Sequence, residues 1–105
     1  NMNRADILSK AHDAVQSRGT DYGSPAENFE RIAAIWSAYA DTEFSVEDVG
    51  IMMMIVKISR LMETPAHEDS WVDLAGYAAV TAEAIADSQD NPPLLADQQS
   101  NEPSL

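Results

Sequence analysis

Residues 45–62 read SVEDVGIMMMIVKISRLM, and this stretch decides the fold. Ser45, followed three residues later by Asp48, matches a helix start of the capping-box type. Beyond this start the apolar residues lie around almost the whole circumference of the helix, a pattern typical of a central, buried helix. Two cations, Lys57 and Arg60, interrupt the apolar pattern. We therefore expect a central helix that carries two charges in its interior.

Three further helices are predicted around this one. Asn3 is the expected N-cap of the first helix, and Gly19 follows its end. Residues 24–27, SPAE, combine a capping serine, a proline at the first helical position and a capping-box glutamate. The expected helices span about residues 4–18, 25–40, 46–62 and 68–86. No strand-like alternation is visible, so the sequence predicts an all-α, four-helix bundle-like domain with an irregular C-terminal tail.

The composition changes near residue 87, where Ser, Gln, Asp, Asn and Pro replace the apolar residues. We expect a helical domain over residues 1–87 and an acidic, Pro/Gln/Asn-rich tail over residues 88–105. Leu94 and Leu95 are apolar residues in this tail. The hypothesis for them is that they dock on the helical body or on a neighbouring chain.

The charge balance excludes several classes of partner. The formal net charge is −12, from 18 acidic and six basic residues, which argues against binding a nucleic acid polymer. A DNA-mimic function is an open alternative, although the acids are spread over several segments. The longest apolar run is too short to span a bilayer, so no membrane association is expected. With no cysteine and no apparent signal peptide, a cytoplasmic location is predicted.

Four charged residues should meet between the third and fourth helices. Lys57 and Arg60 share one helix face, and Asp69 and Asp73 share a face of the next helix. In a hairpin centred near Ala66 the two pairs lie at similar levels. One interpretation is an ion-pair network that fixes the hairpin register. The other is that the acids hold a divalent cation while the cations hold phosphate oxygens.

Glu27 and Glu30 form a second acidic pair, on the predicted second helix. Their spacing lets both carboxylates reach one ion, so they are candidate metal ligands together with Asp69 and Asp73. The alternative is that Glu27 belongs to the capping box and that Glu30 lies on a solvated face. Both acids fall away from the apolar stripe of their helix, which favours this alternative.

Four blocks of sequence resemble a family of small, uncharacterised phage and prophage proteins. They are DYG at residues 21–23, PAENF at 25–29, KISRL at 57–61 and DSWVDLAGY at 69–77. More widely, the chain is similar to the all-α, MazG-like nucleoside triphosphate pyrophosphohydrolases. That superfamily has a Glu-Glu-x-x-Glu motif and a later Glu-x-x-Asp motif. Here Ala26 stands at the first acidic position, and Ser70 stands where the acid of the second motif is expected.

This resemblance implies a Mg²⁺- or Mn²⁺-dependent enzyme, active as a homo-oligomer, that converts an NTP or dNTP to the monophosphate and pyrophosphate. Glu27 and Asp73 would be catalytic, and Glu27, Glu30, Asp69 and Asp73 would bind the metal. Substrate contacts would come from Lys57, Arg60, Asn28, Tyr22 and Trp71. The alternative is a non-catalytic helical module that binds a host or phage protein, or a nucleotide without cleaving it.

Overall fold

The computed structural model describes residues 2–18 and 23–90, and this part of the chain forms four α-helices. They are α1 (Arg4–Arg18), α2 (Pro25–Ala40), α3 (Val46–Glu63) and α4 (Glu68–Asp90). No strand occurs among the described residues. The all-α prediction is confirmed, and each expected helix is present. The predicted docking of Leu94 and Leu95 lies outside the described residues.

The helix starts follow the local sequence, as predicted. The side chains of Asn3, Ser24 and Ser45 each accept the backbone N–H three residues further along. At α3 the capping box is complete, because the Asp48 carboxylate also accepts the Ser45 backbone N–H at 2.9 Å. At α2 only the first half of the expected capping box forms, with Glu27 donating its backbone N–H to Ser24.

Substituting Ser45→Ala is expected to lower the free energy of unfolding by about 1 kcal/mol, because the Asp48 backbone N–H at the start of α3 loses the Ser45 Oγ that accepts it. Chemical denaturation followed by circular dichroism measures this loss. Ser59→Ala, on the exposed surface of the same helix, is the matched control and should change stability much less. A Ser45→Ala variant as stable as the control would contradict the role of the cap.

The central helix is α4, which corrects the prediction for α3. Helix α4 packs against all three other helices, whereas α1 packs against α4 alone. Small residues on α4, such as Gly76 and Ala84, are buried and let its neighbours approach closely. The main core cluster joins α2, α3 and α4 and consists of Ala26, Phe29, Ala33, Val49 and Ala84.

Helix α3 is covered on one side only. Its buried residues are Val49 and Gly50, which follow the capping box, and Leu61, which lies near the C-terminal end. Six large apolar side chains remain exposed, namely Ile51, Met52, Ile55, Val56, Ile58 and Met62. A helix that is apolar all round needs neighbours on every side, and among the described residues only α2 and α4 pack against α3. Over residues 2–18 and 23–90 the prediction of a buried helix is therefore wrong.

The end of α4 lies four residues beyond the predicted one, at Asp90 instead of Ala86. The domain boundary expected after residue 87 consequently falls inside the last turn of a helix. Polar composition alone does not end a helix, and residues 87–90 contain neither Gly nor Pro. The first strong helix breaker along the sequence is Pro92.

Candidate functional site

A cleft is lined by residues of all four helices. Its volume is about 490 Å³, within the usual range for small-molecule sites. The lining is mainly apolar, with Val15 from α1, Phe29 from α2, and Met53 of α3 among its residues. Asn28 and Asp73 contribute polar groups to the same lining. An apolar slot with a few polar groups is the general design of a site for a small organic ligand.

A polar groove adjoins the cleft, between α1 and α4. It has a volume of about 430 Å³ and is lined by Lys10, Glu68, Asp69 and Asp73, among others. Asp73 lines both the groove and the cleft, so the two features meet at this carboxylate. The predicted shared face of Asp69 and Asp73 is confirmed by their common position in the groove.

Lys57 and Asp73 form the ion pair at this junction. The Lys57 Nζ lies 2.8 Å from the Asp73 Oδ2, and the two side chains are only 12% and 22% exposed. Pairing offsets the cost of removing each of these charges from solvent. The structure therefore confirms that Asp73 is a partner of Lys57 across the helical hairpin.

Arg60 and Asp69 do not join this pair. Arg60 is exposed and forms no ion pair with any described residue, so its predicted place in the interior is wrong. Arg60 lies in the last turn of α3, three residues after Lys57, and its side chain is exposed to solvent. Asp69 is exposed as well, in the first turn of α4. The expected network of four charges is thus one ion pair with two separate surface charges.

The acids of α2 are separate from the cleft lining. Glu27 is exposed beside Gly23, and Glu30 is half-buried on the same helix. Neither lines the cleft or the groove, whereas the neighbouring Asn28 is half-buried and lines the cleft. Among the predicted substrate contacts that the structure describes, Asn28 is the one that lines the cleft.

The two predicted aromatic contacts have different outcomes. Trp71 is 40% exposed and donates its indole N–H to the carbonyl oxygen of Pro65 at 2.8 Å, which fastens α4 to the loop before it. It lines neither the cleft nor the groove. Tyr22 lies outside the described residues. Tyr77, which the sequence analysis did not select, lines the cleft from α4.

The predicted metal ligands do not assemble a cation site within residues 2–18 and 23–90. No group of three or more histidine, aspartate or glutamate side chains there is close enough to hold a metal ion. Mg²⁺ prefers several oxygen ligands in near-octahedral geometry. The described residues of one chain therefore do not fit the implied metal.

Lys10 is a site residue that the sequence analysis missed. Its Nζ lies 2.9 Å from the Glu68 Oε2, joining α1 to the start of α4 along the groove. The hydrogen bond from Lys10 lowers the pKa of the Glu68 carboxyl. Because the folded-state pKa is the lower one, the contribution of this pair is present at neutral pH and is lost as the pH falls through that pKa. The signal in the sequence is that Lys10, Ala14 and Ser17 have helical spacing and so share one face of α1, the face that lines the groove.

Comparisons with known proteins find a family whose match lies within the helical part of the chain. The model of a domain of unknown function, DUF6378, matches residues 6–85. The Gene 55 protein of Mycobacterium phage L5 is 49% identical over 76 residues, which cover 70% of this chain and 49% of that protein. The Gene 55 protein of Mycobacterium phage D29 is 42% identical over 73 residues, or 69% of this chain and 48% of that protein.

These relatives confirm the predicted likeness to phage proteins. The chain spans about half the length of each of them. No solved structure matches the chain. None of the described helices combines the length and the apolarity needed to cross a bilayer. The relation to the MazG-like superfamily stays a prediction.

Proposed function

This chain belongs to the DUF6378 family of domains of unknown function, and we propose that its cleft binds a nucleotide. The observation that carries the proposal is the cleft itself, an apolar slot whose lining includes Asn28 and Asp73. The side-chain amide of Asn28 has both donor and acceptor groups, which suit the edge of a base. The adjoining groove gives the polar part of a ligand a place beside Lys10.

The finer proposal is hydrolysis of an NTP or dNTP to the monophosphate and pyrophosphate, in the cytoplasm of the host cell. It rests on the resemblance to the MazG-like pyrophosphohydrolases, which also implies Mg²⁺ or Mn²⁺ as the cofactor. Asp73 lines both the cleft and the groove and would contact the ligand where its nucleoside part joins its phosphates. Lys57 lines neither feature, and through its ion pair it would hold the Asp73 carboxylate in place.

Nucleotide binding is tested by calorimetric titration and by thermal unfolding with each NTP and dNTP, with and without Mg²⁺ or Mn²⁺. A ligand that binds only the folded chain, at about 100 times its Kd, stabilises the fold by about 2.7 kcal/mol and raises the Tm. Asn28→Ala should weaken binding about five- to tenfold, because one hydrogen bond of about 1 kcal/mol is lost. The matched control is Gln89→Ala, which removes an exposed amide outside the cleft.

Failure to bind any nucleotide would contradict the proposal, as would equal affinities for Asn28→Ala and Gln89→Ala. Hydrolysis is measured separately, by the release of monophosphate and pyrophosphate. If the native chain binds nucleotide but hydrolyses it no faster than an Asp73→Asn variant, the proposal of hydrolysis is contradicted and the proposal of binding is not.

A second candidate is nucleotide binding without cleavage. It is favoured by the engagement of Asp73 with Lys57, which leaves this carboxylate less available to a metal ion. It predicts calorimetric binding that does not depend on added Mg²⁺ or Mn²⁺, and no pyrophosphate release. Metal-dependent release of pyrophosphate would contradict it.

A further inference from the structure

Tyr77 supplies the aromatic surface of the cleft. Among the described residues of the lining, Phe29 and Tyr77 are the aromatic ones. Phe29 is only 3% exposed, whereas Tyr77 is half-buried and packs against the main core cluster. This packing holds the tyrosine ring in place, and the surface that remains lines the cleft. An aromatic ring in such a position stacks on the flat face of any nucleobase.

The position of Tyr77 along α4 orients a ligand. Asp73 lines both the cleft and the groove, whereas Tyr77, one helical turn or about 6 Å further along the axis, lines the cleft and not the groove. In the opposite direction, Glu68 and Asp69 line the groove and not the cleft. A nucleotide whose base stacks on Tyr77 would therefore place its sugar near Asp73 and its phosphates in the groove.

The groove is acidic, which disfavours phosphates. Its described lining contains three carboxylates and one ammonium, a formal charge of −2, from Glu68, Asp69, Asp73 and Lys10. The ammonium is already engaged, because the Lys10 Nζ lies 2.9 Å from the Glu68 Oε2. No arginine is among these described lining residues. Phosphates would thus enter a groove whose own charge repels them, in a chain of net charge −12.

The hydrogen-bonding groups of the groove match a sugar better than a phosphate. Ionised carboxylates only accept hydrogen bonds, and phosphate oxygens accept them as well, so the two kinds of group do not bond to each other. Sugar hydroxyls can donate, and the Asp73 carboxylate lies at the junction where the sugar would be. The polar end of the site therefore suits an uncharged group with hydroxyls.

We propose that the cleft recognises the nucleoside part of its ligand, with the base stacked on Tyr77 and the sugar beside Asp73, and that without a divalent cation each added phosphate weakens binding. An uncharged nucleoside is then the preferred ligand of the metal-free chain. This inference rests on the proposed nucleotide binding and names the part of the ligand that supplies the affinity.

Calorimetric titration of the metal-free chain tests the dependence on phosphates. Adenosine, guanosine, cytidine and thymidine are titrated first, in EDTA and at low ionic strength. The nucleoside that binds best is then compared with its monophosphate, diphosphate and triphosphate. The Kd should rise about threefold or more with each phosphate, and added salt should reduce these differences. The 5′-amino-5′-deoxy form of the same nucleoside, which is a cation, should bind more tightly than the nucleoside itself.

Asp69→Asn tests whether the acids of the groove cause the penalty. Asp69 is exposed and forms no ion pair with any described residue, so the variant should fold. The ratio of the triphosphate Kd to the nucleoside Kd should fall about threefold. The matched control is Glu83→Gln, which removes the same charge from an exposed residue of α4 outside the cleft and the groove. Its ratio should stay close to the native one.

Tyr77→Leu tests the stacking of the base. The variant should weaken nucleoside binding about tenfold, whereas Tyr77→Phe, which keeps the ring, should bind nearly as well as the native chain. The matched control is Tyr39→Leu on α2, where the tyrosine is 92% exposed and lies outside the cleft. Circular dichroism checks that each variant is folded.

The results separate failure of this inference from failure of the proposed function. If neither nucleosides nor nucleotides bind, both are overturned. If nucleotides bind and the metal-free triphosphate binds as tightly as its nucleoside, only this inference is overturned. The same holds if a folded Tyr77→Leu variant binds nucleoside as tightly as Tyr39→Leu. Should Tyr77→Leu not fold, the phosphate series on the native chain and on Asp69→Asn still decides.

Discussion

Substituting Asp73→Ala is expected to lower the free energy of unfolding by about 2–3 kcal/mol. The change leaves the Lys57 ammonium without its partner in a place where the lysine side chain is only 12% exposed. Loss of one member of a fully buried pair costs about 3–5 kcal/mol, and the remaining exposure lets Lys57 recover part of its hydration. Denaturant unfolding followed by circular dichroism measures the loss.

Two controls separate an unpaired charge from other effects of the substitution. Lys57→Met with Asp73→Leu removes both charges and keeps apolar volume, so its stability should lie within about 1 kcal/mol of the native value. Glu68→Ala breaks the exposed pair with Lys10 and should cost far less than Asp73→Ala. Equal losses for Asp73→Ala and for the double variant would contradict the assigned role of the pair.

Substituting Gly50→Ala is expected to destabilise the fold by a net value of about 2 kcal/mol, although alanine favours a helix over glycine by about 1 kcal/mol. A Cβ at Gly50 would overlap the Oγ1 and Cγ2 atoms of Thr81 and lie 2.7 Å from its Cβ. Overpacking costs about 1–3 kcal/mol, and the upper end applies here because three atoms of Thr81 are too close and α3 and α4 must separate to relieve the overlap, so about 2 kcal/mol remains after the helix gain. For a domain of this size the loss corresponds to a fall in Tm of about 10 °C.

Gly76→Ala is the matched control for this prediction. Its added Cβ would lie 3.5 Å from the Val15 Cγ1, an ordinary contact, so the variant should gain about 1 kcal/mol from helix propensity. Thr81→Ala should restore part of the stability of Gly50→Ala, because it removes two of the three overlapping atoms. Similar effects of Gly50→Ala and Gly76→Ala would show that close approach of α3 and α4 is not what Gly50 provides.

Much of the candidate site was predictable, but not its arrangement. Asn28, Lys57, Asp69 and Asp73 were selected from the sequence, and the structure places Asn28 at the cleft and the two aspartates in the groove. Lys10 and Tyr77 were missed, because a lysine on an amphipathic helix and a tyrosine on an apolar stripe have ordinary explanations. The acids Glu27 and Glu30 lie outside both features, since spacing along α2 does not specify which element its polar side approaches.

The sequence by itself determined where the helices begin. A capping side chain bonds to a backbone group three residues away, so the starts at Asn3, Ser24 and Ser45 depend on local sequence and on no tertiary contact. The tertiary structure decided which helix is central and which partner Lys57 takes. Burial depends on what packs against a face, and the same apolar α3 could have been covered by its own chain or left open. Small residues on α4 let the other three helices pack against it, and the outer side of α3 stayed exposed.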